Sequence, residues 1–294
     1  MIKQQLKLAK RVSKKVDCVI TEKEWQIMAN ISKPWVTYAK PFKIFGNLYF
    51  AGNTAASSHI IDTGDGLILI DSGYPQTLYL LIQSIWELGF KPCDVKYIIH
   101  SHGHYDHLGA TKALVELTGA KTFIGLGDED YVNGKLDLTW ARESGYEYHE
   151  AFEADCIMQD NDIIKLGNTS IHVISTPGHT PGTMSFFFDV TDGKATYRAG
   201  MHGGVGTGSM AKEFLERYGL SFSCRDDFFK GLEKVKNKKV DIFIGNHAWN
   251  NDTFGKYKLM QEQKKNPFID SRAWEVFLDK RAASLQNVIL EEKQ

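Results

Sequence analysis

The stretch His100-Ser101-His102-Gly103-His104-Tyr105-Asp106-His107 constrains this chain most, and it directly follows the apolar run Val95 to Ile99. Between residues 102 and 107 it holds three imidazoles and one carboxylate. Neutral imidazole suits zinc, and catalytic zinc takes three protein ligands while keeping a position for water. In extended backbone alternate side chains share a face, so His102 and His104 can converge on one ion. Asp106 and His107 follow where the chain is expected to turn into a helix, and they can face a second ion. The competing reading is a solvated His-rich loop. It is set aside because two distant histidines, His179 and His247, each follow a strand in the same way.

Composition excludes several function classes. The 294 residues are 43% hydrophobic and 24% charged, ordinary globular usage, and the length allows one large α/β domain or two small ones. A net charge of −1 with no basic stripe argues against a nucleic-acid partner. Cys18, Cys93, Cys156 and Cys224 form no CxxC pair and read as free thiols in a reducing compartment. No stretch approaches the length of a transmembrane helix. Met1 to Lys15 is basic but lacks the apolar core of a secretory signal. Ile2, Leu6, Ala9 and Val16 fall near one helical face, so an amphipathic helix docked on the domain is expected there rather than membrane attachment. The expectation is a cytoplasmic protein with an N-terminal arm over 1–41 and one domain over 42–294.

From Phe42 short strands alternate with turn residues. Gly46-Asn47 turns the first pair, and Thr63-Gly64-Asp65-Gly66 leads into Leu67-Ile68-Leu69-Ile70, apolar on both faces and thus a covered central strand. Helices are predicted over 77–89, 107–117, 211–218, 226–236 and 271–289, and buried strands over 95–99, 121–125 and 240–244. Residues 126–156 are polar and aromatic and read as a connection between two halves, or a flap. The second half repeats the grammar of the first, with strands over 163–166, 169–175, 183–189 and 195–199. His179 sits in the rigid loop Thr176-Pro177-Gly178-His179-Thr180-Pro181-Gly182. Two strand-rich halves with helices between them predict sheet packed on sheet with helices outside.

With His179 and His247, the motif His102-X-His104-X-Asp106-His107 resembles the metallo-β-lactamase superfamily over roughly residues 42–270. Phe42-Lys43-Ile44, residues 66–73, Leu88-Gly89-Phe90 and residues 266–270 resemble the third subclass of class B β-lactamases. The resemblance implies the four-layer αβ/βα sandwich and two zinc ions. His102, His104 and His179 would hold the first ion and Asp106, His107 and His247 the second. Asp71 would orient a ligand imidazole. It further implies hydrolysis of an acyl bond by zinc-activated water, with Asp106 orienting the nucleophile beside His102 and His104, and with β-lactams the best single substrate class.

Two departures from the superfamily pattern bear on the substrate, the first of them shared by the third β-lactamase subclass. Many superfamily members place a bridging Asp after a strand-end Gly; here Gly200 is followed by Met201 and His202. The loss leaves a surplus of positive charge once two zinc ions are bound, which favours an anionic small-molecule substrate. The subclass also carries serines in this loop to hold a substrate carboxylate, whereas this chain has Met201, His202, Gly203 and Gly204, read as a substrate loop of different chemistry. Lactones, thioesters or other acyl substrates on the same metals are therefore the alternative. A redox diiron protein is disfavoured by His104 where that class tends to use Glu, and an inactive metal-binding homologue is the residual reading. The sequence leaves the oligomeric state open.

Overall fold

The computed structural model describes residues 32–294. The helix expected near Met1 to Lys15 and the larger part of the arm lie outside the described residues.

Among the described residues twelve strands build two sheets. The first contains β1 (Phe42–Phe45), β2 (Leu48–Phe50), β3 (His59–Asp62), β4 (Leu67–Ile70), β5 (Val95–Ile99), β6 (Lys121–Gly125) and β7 (Cys156–Met158), paired in that order. Its first four strands are antiparallel meanders, and β4 to β7 are parallel. The second sheet runs in the order β12 (Ile242–Phe243), β11 (Thr196–Met201), β10 (Met184–Thr191), β9 (Thr169–Ser175) and β8 (Ile163–Leu166). Strand β4 is buried at all four positions, as parallel strands covered on both faces must be.

The alternation of side chains along each strand decides the layers. Phe50, Ile61, Ile68 and Ile70 of the first sheet meet Ile171, Val173, Phe186, Phe188 and Met201 of the second in one apolar core. The opposite face of the first sheet, through Ile60, Leu67, Leu69 and Ile98, is covered by Leu81 and Ile85 of α1 (Leu78–Glu87). Helices α2 (Tyr105–Leu108), α3 (Thr111–Thr118) and α4 (Glu129–Val132) complete this side. Helix α5 (Lys212–Tyr218) follows the second sheet, whose outer face is covered by α6 (Ser223–Lys236) and α8 (Ala273–Glu291), with Phe187 and Phe243 packed on Trp274 and Phe277. The order is helix, sheet, sheet, helix, the predicted sandwich.

Several local expectations need correction. The helix expected over 107–117 is two pieces, α2 and α3. Ser72 donates its backbone N–H to the His107 carbonyl, and Ala110 N–H turns to Gly73 O, so the ladder that would join the pieces is diverted to the loop after β4. Gly109 lies so close to Pro75 that a Cβ would fall 2.3 Å from its ring. His104 occupies the N-terminal capping position of α2, and Asp106 lies in its first turn. The strand expected over 240–244 pairs only at Ile242 and Phe243. Helix α7 (Thr253–Glu262) was not anticipated, because only Thr253 of it is buried and it shows little apolar periodicity. Residues 126–156 do not connect two halves as expected: they join β6 to β7 within the first sheet, mostly irregular apart from α4 and one 3-10 turn at Arg142–Ser144, and the crossing to the second sheet is the short segment 159–162.

Candidate metal centre

Loops at the ends of strands from both sheets meet over one rim of the sandwich. The loop after β5 brings His102, His104, Asp106 and His107, the loop after β9 brings His179, and the segment after β12 brings His247. Two triads of ligand atoms each lie within 4.8 Å: His102 with His104 and His179, and His102 with Asp106 and His107. His179 Nε2 is 3.2 Å from His102 Nε2, and His107 Nε2 is 3.3 Å from His247 Nε2. Asp106 Oδ2 stands 3.2 Å from His107 Nε2 and 3.6 Å from His247 Nε2. All six predicted side chains are thus brought together. A further histidine of the same stretch, His100, turns away, bonding Phe123 O and Thr111 Oγ1 within the core.

The outward nitrogens explain why the inward ones can take a cation. His102 Nδ1 contacts Gly203 O at 2.8 Å, His179 Nδ1 contacts Gly206 O at 2.7 Å and His247 Nδ1 contacts Ala55 O at 2.9 Å. A carbonyl only accepts, so each Nδ1 carries the proton and each Nε2 presents a bare lone pair. Bare lone pairs facing each other at 3.2 Å are repulsive unless a cation stands among them. The donor set of neutral imidazoles with one carboxylate therefore fits a metal of zinc-like preference.

Electrostatics agree. Burial, reinforced by neighbouring imidazoles, holds the His102 and His104 pKa well below 6.5, and takes His179 and His247 down to about 4. His107 is the exception: burial opposes its charge, but the carboxylates of Asp106 and Asp71 raise it to about 10. Asp106 is held far below the usual carboxylate range: burial works against its charge, and His107 and the other imidazoles overcome it. This half of the site attracts positive charge.

Asp71 ends β4 in a left-handed conformation (φ 60°) that Asp tolerates better than most residues. Its carboxylate accepts from Ser101 N–H and Ser101 Oγ, both at 2.7 Å, and meets His107 Nδ1 at 2.9 Å. The contact is the one expected of a residue orienting an imidazole.

The structure places Met201, His202, Gly203 and Gly204 differently from a substrate loop. They lie buried behind the imidazoles, and none of them lines the cavity over the site. Gly203 supplies the acceptor for His102, while Gly204 is pressed on the His179 ring, where a Cβ would lie 2.3 Å from Cδ2. We expect Gly204→Ala to displace His179 and to cost about 1–3 kcal/mol of stability through overpacking. Urea unfolding and zinc stoichiometry of the variant measure both effects; unchanged zinc binding would show that the ring has room. His202 packs on Phe228, its Nε2 has no partner, and burial takes its pKa down to about 3.

Sequence reasoning missed Asp128 and Ser101. Asp128 is fully buried and accepts from Gly103 N–H and Thr180 Oγ1 at Oδ2, and from Gly182 N–H at Oδ1. It fastens the first metal loop to the second. The signal was present in Gly125-Leu126-Gly127-Asp128, an acid just past a strand end among glycines, but its partners lie 25 and 54 residues away. Asp128→Ala leaves the Gly103 and Gly182 N–H groups unmatched, each costing about 1–3 kcal/mol, while Thr180 Oγ1 keeps Thr183 Oγ1 as a partner, so both loops should loosen. A drop in unfolding midpoint together with weakened zinc retention is the expected result.

Acid should also weaken the metal-free protein. His59, His179, His202 and His247 bind protons at 6.5 when unfolded but only near 3 to 4 when folded. The unfolded state thus binds more protons in that window, and stability falls as pH drops from 6.5 toward 4. Asp128, raised to about 6 by burial, and His107, raised to about 10 by its carboxylate partners against burial, act in the opposite sense, but His102 and His104, lowered by burial, add to the four. Unfolding midpoints measured across this range test the sign.

Over the site opens a cavity of about 510 Å³. Tyr74, Tyr105, Trp140 and Trp249 give it aromatic walls, and among the described residues no lysine or arginine lines it.

Comparison with known proteins agrees with this geometry. Residues 51–193 match the family model described as the metallo-beta-lactamase superfamily. Hydroxyacylglutathione hydrolase GloC of Haemophilus influenzae is 26% identical over 200 residues, 66% of this chain and 83% of that protein. The match to Bacillus subtilis YflN, 30% identical over 136 residues, covers 42% of this chain and spans about half (51%) of that protein. The native FEZ-1 metallo-beta-lactamase of Legionella gormanii superposes with a TM-score of 0.80 at 27% identity, covering 88% of this chain and 98% of that one. LRA-12, a class B3 di-zinc metallo-beta-lactamase from an Alaskan soil metagenome, gives 0.76 at 28%, covering 86% and 95%. By its motif, its sandwich and these matches, residues 51–193 form a metallo-β-lactamase superfamily domain, and the described residues share the architecture of the class B3 β-lactamases.

Proposed function

We propose that this chain is a dinuclear zinc hydrolase of acyl substrates, with cyclic amides of the β-lactam type the best single class. The observation that carries the reading is the convergence of five imidazole faces and one carboxylate, with the outward nitrogens of His102, His107, His179 and His247 committed to fixed partners. His102, His104 and His179 would hold one ion; Asp106, His107 and His247 would hold the other. Zinc supplies an acidified water and polarises the acyl oxygen. The chain supplies the rest. Gly203, Gly206, Ala55 and Asp71 fix the tautomers and aim the rings. Asp106 is kept ionised and stands where it can accept a proton or orient the attacking water. The aromatic walls exclude bulk water from the scissile bond.

A second reading, hydrolysis of thioesters or lactones, is favoured by one observation: residues 201–204 offer no group to the cavity for a substrate carboxylate. The likeness to a hydroxyacylglutathione hydrolase supports it. An anionic substrate group would then be held by the metals' surplus charge alone. Residues 42–294 are taken as the catalytic domain, with the arm contributing Thr37 to the cavity wall. Cys93, Cys156 and Cys224 are free, which supports a reducing, cytoplasmic setting. Among the described residues no helix is long and apolar enough to cross a membrane.

The deciding experiment is turnover of a chromogenic cephalosporin beside a thioester and a lactone, with zinc-loaded and chelated protein. Chelator-sensitive turnover of the cephalosporin establishes the leading reading. Two bound zincs with turnover of only the thioester or lactone selects the second, and two bound zincs with no turnover of any of the three sinks both.

A further inference from the structure

One indole stands beside each half of the metal centre. Trp249 stacks on His247 with ring centroids 4.2 Å apart and planes 11° from parallel, yet the residue is 62% exposed. Stacking on a ring that is itself held to Ala55 O fixes one face of the indole. Its exposure leaves the remainder open to the cavity. On the other side Trp140 lies 5.8 Å from His104 and 5.0 Å from Phe214. Its backbone adopts φ 66°, a conformation a bulky residue rarely takes and one that marks a position held by its surroundings. Gly208 makes the seat, since a Cβ there would fall 2.7 Å from the Trp140 ring. A core residue needs neither strain nor exposure, and these two tryptophans show one each while lining the same cavity.

The charge of that cavity narrows what they recognise. Beyond the metal-site side chains its walls are uncharged, so away from the metals a substrate meets rings and hydroxyls and no cation. We propose that Trp140 and Trp249 form an aromatic clamp that selects acyl substrates carrying a flat, uncharged aryl group next to the scissile acyl unit, whose own oxygens face the metals. The inference rests on the hydrolase reading for the word substrate, but the clamp itself is a binding property.

Calorimetric binding of phenylacetate and acetate to zinc-loaded protein tests it. Both probes carry the same carboxylate for the metals, and only phenylacetate carries a ring. Phenylacetate should bind several-fold to tenfold tighter, the range expected of aromatic stacking. Trp249→Ala, a change at an exposed side chain, should reduce that preference to within about twofold while acetate affinity and two-zinc stoichiometry hold. Trp140→Phe, which keeps a ring against Phe214, should reduce it partly; Trp140→Ala serves if it folds. An equal preference in wild type and Trp249→Ala, or no preference at all, overturns the clamp. Turnover of acyl substrates with no ring preference would sink the clamp and leave the hydrolase; a Trp249-dependent preference with no turnover of any acyl substrate would do the reverse.

Discussion

Asp71→Ala is expected to cost the metal-free protein on the order of 3–5 kcal/mol, the range found when one partner of a buried charge pair is removed. The Asp71 carboxylate takes three donors, and deleting it strands Ser101 N–H, Ser101 Oγ–H and His107 Nδ1–H in a dry interior. His107 owes its raised pKa to two carboxylates, of which only Asp106 would remain. The pH dependence follows from that sign. A raised imidazole pKa contributes stability that is complete below 6.5 and is lost as pH climbs toward about 10. The His107 share of the penalty should therefore be largest in mild acid and fade in alkali. With zinc present, losing the group that aims a ligand ring should weaken binding roughly 10–100-fold. Urea unfolding at two pH values and a zinc competition titration provide the readouts. A stability loss below 1 kcal/mol with unchanged zinc affinity would show that the carboxylate is not the anchor described.

His102→Ala should have the greatest effect on catalysis. The residue belongs to both triads, so one truncation opens both halves. Lewis-acid chemistry on a bound metal is worth several kcal/mol of barrier, so a fall in kcat/KM of roughly 10³-fold or more is expected once the conversion of energy to rate is made. Zinc content should fall in step. Chelation of the wild type should reproduce the loss and re-addition of zinc should reverse it. Activity retained in the variant, or surviving chelator, would require a nucleophile other than metal-activated water.

The layers, and the six side chains that the fold brings together, were legible in the sequence for a physical reason. Strands such as Leu67–Ile70 announce burial on both faces by composition, and a cluster such as 102–107 has no economical use in a core. Contacts between distant segments were not legible. Asp128 reads as a loop acid until the fold sets Gly103 and Gly182 against it. The glycines of 203–206 suggest a ligand-binding loop, but two of their carbonyls hold His102 and His179 from behind. Helix 107–117 kept its periodicity in the sequence and broke in the fold because Ser72 and Gly73 took its hydrogen bonds. Helix α7 gave no signal, since it buries almost nothing of its own.

The six side chains do not come from one sheet. His102, His104, Asp106 and His107 ride on the first and His179 and His247 on the second, with His102 and His179 in contact across 77 residues of chain. An ion held among them is a removable cross-link between the two halves of the sandwich, formed without a covalent bond. Separating the sheets then requires ligand bonds to break first, so the loaded protein should unfold through the small fraction from which the metal has already left. Its lifetime under denaturant would lengthen with free zinc, long after the binding sites are full.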